Sequence, residues 1–455
     1  MGSVTKFQRE TPDQEAARRA DKFTEDLLAE NFEAEYEGRL IYSHIRGQWY
    51  LREDKEVQFN EDRLERVPHL IREFLRTLNS GNDPKLGSAA TISAVEKLAR
   101  RSRGFAIHGN ELDREPYLLG TPEGVIDLRT GTGAIFEGDD AIITKRTFIA
   151  PESGKPIRWL EFLAEATGND QELIDYLQRL AGYCLTGETR EESLTFFHGP
   201  GGNGKGVFLG ALKDIAGDYG RQASTEALME SKSERHPADL ADLSPARLVV
   251  ASESSDGKRW DEQRVKALTG RDEISARYMR GNFFVFKPQF KILVASNHKP
   301  RIRTVDDAWR RRLHLVPFDK KPAQPDPLLK DKLRDEYPQI LQWCIEGAEW
   351  WYREGLQVPE VITLATDQYF REEDLIGLWA EECVEFGPGT PGDRTLMYSN
   401  YEKWCRQMGH GAATIYAMTR WFKARGCEQD ARNKKRPILG ARLKPIDGEL
   451  LLNAN

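Results

Sequence analysis

The alternation of hydrophobic and polar positions divides the chain into regions of different structure. Residues 1 to about 150 mix helical stretches such as EDRLERVPHLIREFLRTLN with alternating strands on either side of Arg46 and Gly47. From about 190 to 320, short apolar runs alternate with turns and helices: SLTFF, RLVVAS, NFFVF, KILVAS and LHLVPF. RLVVAS and KILVAS are apolar on both faces, which is typical of buried parallel strands. The pattern predicts an α/β fold with a parallel-type sheet.

Breaks in composition indicate where the domains end. We expect a mixed α+β domain over residues 1–150 and an α/β core over 151–325, which opens with a helical lead-in at 157–188. A Pro-rich stretch at 320–327 closes the core, and a helical segment follows over 326–390. The Gly- and Pro-rich EFGPGTPGDRT predicts a linker. Residues 391–455 contain two helical stretches and a short basic hairpin, the order that a winged-helix-like DNA-binding domain needs.

Composition excludes several classes of protein. The chain has 455 residues, of which 31% are charged, and its mean hydropathy is −0.62. No apolar run approaches the ~20 residues that span a bilayer, and the N-terminus has no apolar signal core. We therefore expect a cytoplasmic protein without a membrane partner. The five cysteines are scattered and form no C-x-x-C pair, which argues against a disulfide framework and a zinc ribbon.

Charge is distributed unevenly along the chain. The net charge is −7, so the protein as a whole does not attract nucleic acid. Two local stretches are basic: RYMRGNFFVFK at 277–287, and residues 420–444 near the C-terminus. Any contact with nucleic acid is therefore expected at these stretches.

The stretch HGPGGNGKGVFL at 198–209 has the spacing of a phosphate-binding loop, G-x-x-x-x-G-K, from Gly199 to Lys205. This spacing arises by chance in roughly one chain in eight of this length, so a plain glycine turn is the alternative. The context favours the loop, because it follows a strand-like LTFF and opens a helix-like GVFLGALKDIAG. That arrangement directs backbone N–H groups and the helix dipole at phosphate. Gly206 stands where a Ser or Thr usually binds magnesium.

Three further elements follow the loop in the chain. Glu253 ends one apolar run and could hold magnesium or polarise water, and Asn297 ends another and could orient water. The run Arg310, Arg311 and Arg312 could stabilise transition-state charge in a neighbouring subunit. Taken singly, Glu253 is better explained as a solvated strand end, Asn297 as a turn residue and the arginine run as a solvated face. Their joint order favours a nucleotide site.

With these elements in place, the chain resembles the superfamily 3 helicases, the helicase part of phage and plasmid primase–helicases. The upstream GTPEGVIDLRTG is similar to the helicase-associated N-terminal region of that family, and the tail is similar to its winged helix. The resemblance covers most of the chain from about residue 30. The core segments that carry it are LAGYCLTGETREESLTFFHGPGGNGKG, HPADLADLSPARLVVASES, VKALTGRDEISARYMRGNFFVFKPQFKILVASNHKPRI and DAWRRRLHLVPF.

The resemblance implies an AAA+ P-loop core that acts as an ATP-dependent DNA helicase or translocase in replication of a phage, plasmid or other mobile element. It implies a homo-oligomeric ring, usually a hexamer, with ATP and Mg²⁺ bound between subunits, in a bacterial host cytoplasm. Single-stranded or forked DNA would be the partner, together with a primase or polymerase of the same element. The ~150 residues before the core are short for a primase domain, so we expect a helicase without primase.

The resemblance also implies roles for individual residues. Lys205 falls on the Walker A lysine, Glu253 on the Walker B acid and Asn297 on the sensor. Arg312 falls on the arginine finger, with Arg311 close behind. The nucleotide-binding set is Gly199, Pro200, Gly201, Gly202, Asn203, Gly204, Lys205, Gly206 and Val207. The DNA-binding set is Arg277, Met279, Arg280 and Lys287 on a channel hairpin, with Lys434, Lys435 and Arg436 in the tail.

Two departures from the family pattern concern magnesium. Gly206 supplies no hydroxyl, and Glu253 stands alone where many relatives carry an adjacent acidic pair. We expect hydrolysis to survive, with magnesium held mainly by phosphate oxygens, water and Glu253. The main alternative is an ATP-assembled DNA-binding initiator or loader ring with little or no hydrolysis. A DNA-packaging or remodelling ATPase would share the core and would not need the basic hairpin.

Overall fold

The structure is a computed structural model that describes most of the chain. The described residues are 24–53, 58–79, 83–108, 111–133, 141–231, 238–244, 246–252, 258–277, 283–302, 307–322, 324–430, 433 and 436–445. Within these ranges, no helix combines the length and apolarity that crossing a bilayer requires. A five-stranded parallel sheet and a largely helical C-terminal region confirm the predicted α/β class.

The N-terminal part packs three helices against a four-stranded sheet of order β3-β2-β1-β4. The predicted hairpin at Arg46 and Gly47 is confirmed, since Ser43 lies opposite Gln48 across an antiparallel pair. The elements are α1 (Glu25–Tyr36), β1 (Leu40–Ser43), β2 (Gln48–Leu51), β3 (Asn60–Glu61), α2 (Arg66–Leu78), α3 (Ala89–Ala99) and β4 (Ala106–Ile107). A second, three-stranded antiparallel sheet follows, made of β5 (Leu118–Thr121), β6 (Gly124–Asp127) and β7 (Thr132–Gly133).

The main sheet has the order β14-β8-β13-β10-β9, and all its neighbouring strands are parallel. Strands β8 and β13 lie inside the sheet, and helices cover both of their faces, which explains their continuous apolar runs. The strands after β7 are β8 (Leu194–His198), β9 (Gly220–Ser224), β10 (Leu248–Ser252), β11 (Ile274–Arg277), β12 (Phe283–Phe286), β13 (Lys291–Ser296) and β14 (Leu313–Pro317).

Helices cover both faces of this sheet. One core is formed with α4, α5, α6, α10 and α11, and the other with α8, α9 and α12. Gly182 and Gly347 let α5 and α11 cross closely, because a side chain at either position would overlap backbone of the other helix. The helices are α4 (Ile157–Thr167), α5 (Gln171–Leu185), α6 (Lys205–Ala216), α7 (Ala238–Ala241), α8 (Glu262–Thr269), α9 (Asp307–Arg312), α10 (Leu329–Asp335), α11 (Tyr337–Glu354) and α12 (Glu360–Glu373).

Strands β11 and β12 form a two-stranded antiparallel ribbon outside the main sheet. The sequence grouped NFFVF with the core strands, and that grouping is wrong. Along β12 burial alternates, and Phe283 and Val285 are 62% and 59% exposed. Alternation of this kind is typical of a strand that is covered on one face. The sequence does not show it, because all four residues of β12 are aromatic or aliphatic.

The C-terminal part combines three helices with a three-stranded antiparallel sheet of order β15-β17-β16. Its elements are α13 (Leu375–Cys383), β15 (Val384–Gly392), α14 (Arg394–Gln407), α15 (Ile415–Ala424), β16 (Glu428–Gln429) and β17 (Ile438–Leu443). The predicted linker EFGPGTPGDRT is wrong, since most of it is β15. Its Gly and Pro residues are tolerated because β15 is an edge strand whose register shifts between Phe386 and Pro391.

Candidate nucleotide site and nucleic-acid surfaces

The loop at residues 199–204 leaves the carboxyl end of β8, and α6 begins directly after it at Lys205. Both sheet neighbours of β8, β13 and β14, come later in the chain. The loop therefore lies where the chain order reverses across the sheet, which is the position at which open α/β sheets bind ligands. The amino end of α6 supplies backbone N–H groups at the same place.

Two glycines and one asparagine fix the path of this loop. Gly204 has φ 89°, and a Cβ there would lie 2.6 Å from the ring of Phe162. A Cβ at Gly199 would overlap the carbonyl of Phe318, which follows β14. The buried Asn203 amide donates to that same carbonyl. The loop is thus fastened to the end of the neighbouring strand, and larger residues at these glycines would displace it.

The ammonium group of Lys205 lies inside the loop. Its Nζ donates to the carbonyl of Gly199 at 2.7 Å, to Oδ1 of Asn203 at 2.9 Å and to Oδ1 of Asn297 at 3.0 Å. Burial lowers the pKa of Lys205, and the carboxylate of Asp319 opposes that shift. Because these acceptors are uncharged, the buried cation is suited to an anion such as phosphate.

Asn297 directly follows β13, whose last residue lies opposite His198 at the end of β8. The sequence thus correctly grouped Asn297 with the loop. It missed His198 and Asp319, which end β8 and follow β14 at the same edge of the sheet. Burial and then the charge of Lys299 lower the pKa of His198. Asp319 also follows an apolar run, which ends at Phe318, so the signal used for Asn297 would have found it as well.

The described residues do not supply a full set of ligands for magnesium. Within the described part of the chain, no group of three or more His, Cys, Asp or Glu side chains is arranged to hold a metal ion. Gly206 is exposed in the first turn of α6, and a Cβ built there meets no atom within 4 Å. Glu253 lies outside the described residues, directly after Ser252 at the end of β10. The described donor set therefore does not by itself fit a magnesium ion.

The arginine run lies at the amino end of the parallel strands, because it ends where β14 begins, whereas the loop lies at their carboxyl end. Arg310 pairs with Asp367 at 3.1 Å, and Arg312 pairs with Glu192 at 2.9 Å. Arg311 is exposed, and its side chain makes no hydrogen bond or ion pair among the described residues. A five-residue strand is roughly 15 Å long, so these side chains are about that far from the loop of their own chain.

The ribbon carries two of the four predicted DNA-binding residues of the channel hairpin. Arg277 ends β11 and Lys287 follows β12, and both are exposed. The guanidinium of Arg277 lies 5.3 Å from the ring centre of the exposed Phe283. Met279 and Arg280 lie outside the described residues. The described face of the ribbon thus combines cations with an aromatic ring.

The C-terminal part exposes a basic helix face, which includes the start of the basic stretch 420–444. Tyr416, Arg420 and Lys423 share one face of α15 by their spacing, and all three are exposed. Residues 415–445 contain nine Lys and Arg against two acidic residues, a net charge of +7 in a chain of −7. Such asymmetry is typical of a surface that meets a polyanion.

The tail residues that the sequence did single out lie in the connection between β16 and β17. Arg436 is exposed and has φ 43°, and its backbone N–H donates to the carbonyl of Asn433. Lys434 and Lys435 lie outside the described residues.

Comparisons with known proteins place these features in context. Residues 29–168 match a family model described as "D5 N terminal like". Residues 197–312, which include the loop, Asn297 and the arginine run, match one described as "Family of unknown function (DUF5906)". Neither model spans half of the chain.

The chain is also similar to viral proteins named helicase and primase. "Putative helicase L207/L206" of Acanthamoeba polyphaga mimivirus is 28% identical over 319 residues, which are 64% of this chain and 33% of that protein. "Putative helicase 022R" of Frog virus 3 is 26% identical over 50% of this chain and 26% of its own length. "Primase D5" of fowlpox virus is 24% identical over 46% of this chain and 28% of its own length. The chain thus spans between about a quarter and a third of these relatives.

Among solved structures, the chain is similar to "The A form apo structure of NrS-1 C terminal region-CTR". The TM-score is 0.49 at 12% identity, over 89% of this chain and 96% of that one.

Proposed function

We propose that the chain is an ATP-driven DNA helicase or translocase of the superfamily 3, AAA+ type, which serves replication of a virus, phage, plasmid or other mobile element. The observation that carries the proposal is the 3.0 Å hydrogen bond between Lys205 and Asn297 beneath the glycine loop. The names of the viral relatives, helicase and primase, support the same class of activity.

In this proposal ATP is the substrate, and its phosphates bind at the loop. The ammonium of Lys205 exchanges its carbonyl acceptors for β- and γ-phosphate oxygens, and the N–H groups at the start of α6 bind the same anion. Asn297 orients the attacking water, and Glu253 polarises it. Magnesium would supply charge neutralisation at the phosphates, with Glu253 and phosphate oxygens as its ligands.

The arginine run is proposed to act on the nucleotide of a neighbouring subunit. Its place at the edge opposite the loop supports this, since about 15 Å separates it from the loop of its own chain. Arg311 is presented to solvent, whereas Arg312 must first leave Glu192. A ring, with six subunits as the expected number, would bring each run against the next loop.

DNA is proposed to bind at two surfaces. The ribbon, with Arg277, Lys287 and exposed Phe283, suits single-stranded DNA, because cations contact phosphates and aromatic rings stack on bases. The C-terminal part is proposed as a winged helix on duplex DNA. Its element order and its net charge of +7 over residues 415–445 support this.

A second candidate function is an initiator or loader ring that ATP assembles without being hydrolysed. Gly206 favours it, because no hydroxyl follows Lys205 to fix the metal. A separate primase or polymerase of the same element is a proposed partner in either case.

Phosphate release in the presence and absence of single-stranded DNA separates the two functions. A motor releases phosphate over many turnovers, and DNA raises the rate. An assembly ring binds ATP and DNA but releases no more than about one phosphate per subunit. Strand displacement on a forked duplex then distinguishes a helicase from a packaging or remodelling ATPase.

A further inference from the structure

Glu192 connects the two elements to which the proposed function assigns nucleotide and DNA. It lies two residues before β8, at the edge of the sheet where the arginine run also ends. Its Oε2 accepts from Nη2 of Arg312 at 2.9 Å, and its Oε1 lies 3.9 Å from Nε of Arg271. Arg271 stands between α8 and β11, at the base of the ribbon. One carboxylate thus lies near an arginine of the run and near the arginine that precedes the ribbon.

The backbone at Glu192 is in an uncommon conformation. Its φ is 46°, in the left-handed region that few residues other than glycine adopt. Its N–H donates to the carbonyl of Thr189, which closes the turn that aims the side chain at the two arginines. A non-glycine residue in this region costs free energy and is concentrated at functional positions. Glycine would make this turn without strain, so the turn itself does not require a glutamate side chain.

The contact between Glu192 and Arg312 can be exchanged. The side chain of Glu192 is 40% exposed, and exposed ion pairs contribute little free energy. Nε of Arg312 is buried and makes no hydrogen bond among the described residues. The guanidinium is therefore incompletely satisfied where it lies, and the triphosphate of a neighbouring subunit would attract it more strongly than a single carboxylate does.

We propose that Glu192 is a positioning residue that relays the nucleotide state of a neighbouring subunit to the DNA-binding ribbon. The relay rests on the proposed function. When nucleotide draws Arg312 away, the carboxylate closes on Arg271 and shifts the base of β11. When the neighbouring site is empty, Arg312 returns to Glu192 and Arg271 is released. Nucleotide and DNA thus affect each other's binding through one carboxylate with two alternative partners.

The relay predicts how nucleotide changes DNA affinity. The measurement is fluorescence anisotropy of a labelled single-stranded oligonucleotide, titrated with the full chain in the presence and absence of a non-hydrolysable ATP analogue. The coupling ratio is the larger of the two dissociation constants divided by the smaller, which is the factor by which the analogue changes DNA affinity. We expect Glu192→Gln, which keeps the size and removes the charge, to lower this ratio by at least about fivefold.

Arg271→Gln removes the second partner at a half-exposed position and leaves the Arg312 contact intact. It is expected to lower the ratio by the same factor as Glu192→Gln, and the double variant is expected to lose no more than either single variant. Asp367→Asn is the matched control, because it removes the partner of the neighbouring Arg310. It should leave the ratio as in the wild type.

The possible results separate the relay from the proposed function. If Glu192→Gln and Arg271→Gln both keep the coupling ratio of the wild type, the relay alone is overturned. It is also overturned if the double variant loses as much coupling as the two single variants together. If the analogue does not change the DNA affinity of the wild type, so that the ratio is one, the relay is overturned. If the wild type binds neither the analogue nor DNA, the proposed function is overturned as well. Thermal melting of each variant verifies that the chains compared are folded.

Discussion

Gly206 can be tested with a pair of substitutions that differ by one hydroxyl. It is exposed in the first turn of α6, and a side chain built there meets no atom within 4 Å. Gly206→Ala should therefore raise the free energy of unfolding by roughly 0.5–1 kcal/mol, because glycine loses more backbone entropy in a helix than alanine does. Gly206→Ser should stabilise the chain by less, since serine has the lower helix propensity.

The hydroxyl is expected to act on magnesium and not on the fold. One added contact to a charged group is worth about 1.5 kcal/mol, so Gly206→Ser should lower the Mg²⁺ concentration for half-maximal phosphate release roughly tenfold. Gly206→Ala should leave that concentration unchanged. The assays are phosphate release across a magnesium titration, and chemical unfolding. Destabilisation by alanine would refute the open space at 206, and equal magnesium curves for the two variants would refute the reasoning about the hydroxyl.

Two further predictions concern stability and duplex binding. Burial lowers the pKa of Lys291 to about 7, below its value in the unfolded chain, so this group makes the free energy of unfolding rise with pH between about 7 and 10. Lys291→Met should remove up to ~1.4 kcal/mol per pH unit of that slope, measured by chemical unfolding from about pH 7.5 to 9.5. An unchanged slope would contradict the prediction. Arg420→Ala and Lys423→Ala should each weaken duplex binding and lower the salt-dependence slope by about one in fluorescence anisotropy, without changing phosphate release; an unchanged slope would remove α15 from the DNA surface.

Much of the fold was predictable because its signals are local. The apolar runs that become β8, β10, β13 and β14 are short and mostly buried, and the first three end at a polar residue. The hairpin around Gly47 follows from alternation and a turn residue. β15 was missed because Gly and Pro normally indicate a loop, and only pairing with β17 makes this segment a strand. That pairing joins residues more than 45 positions apart, which no local pattern shows.

The candidate site divides in the same way. Lys205 was predicted from the spacing of the loop and Asn297 from its place after an apolar run, and the sheet order brings their side chains within 3.0 Å of each other. The contacts of Glu192 were not predictable, because they depend on which strands lie side by side. β14 and β8 are neighbours although more than 100 residues separate them. The partners of the arginine run likewise depend on this tertiary arrangement.

Phosphate release by the wild type and by Lys205→Met, each with forked DNA, decides whether the loop drives an ATP-dependent motor. Methionine preserves the length of the side chain and removes the ammonium that lies beneath the loop. We expect DNA-stimulated release by the wild type and a rate at least about 10²-fold lower for the variant, with thermal melting unchanged within a few degrees. Equal rates for the two proteins, or no release by the wild type, would contradict this expectation.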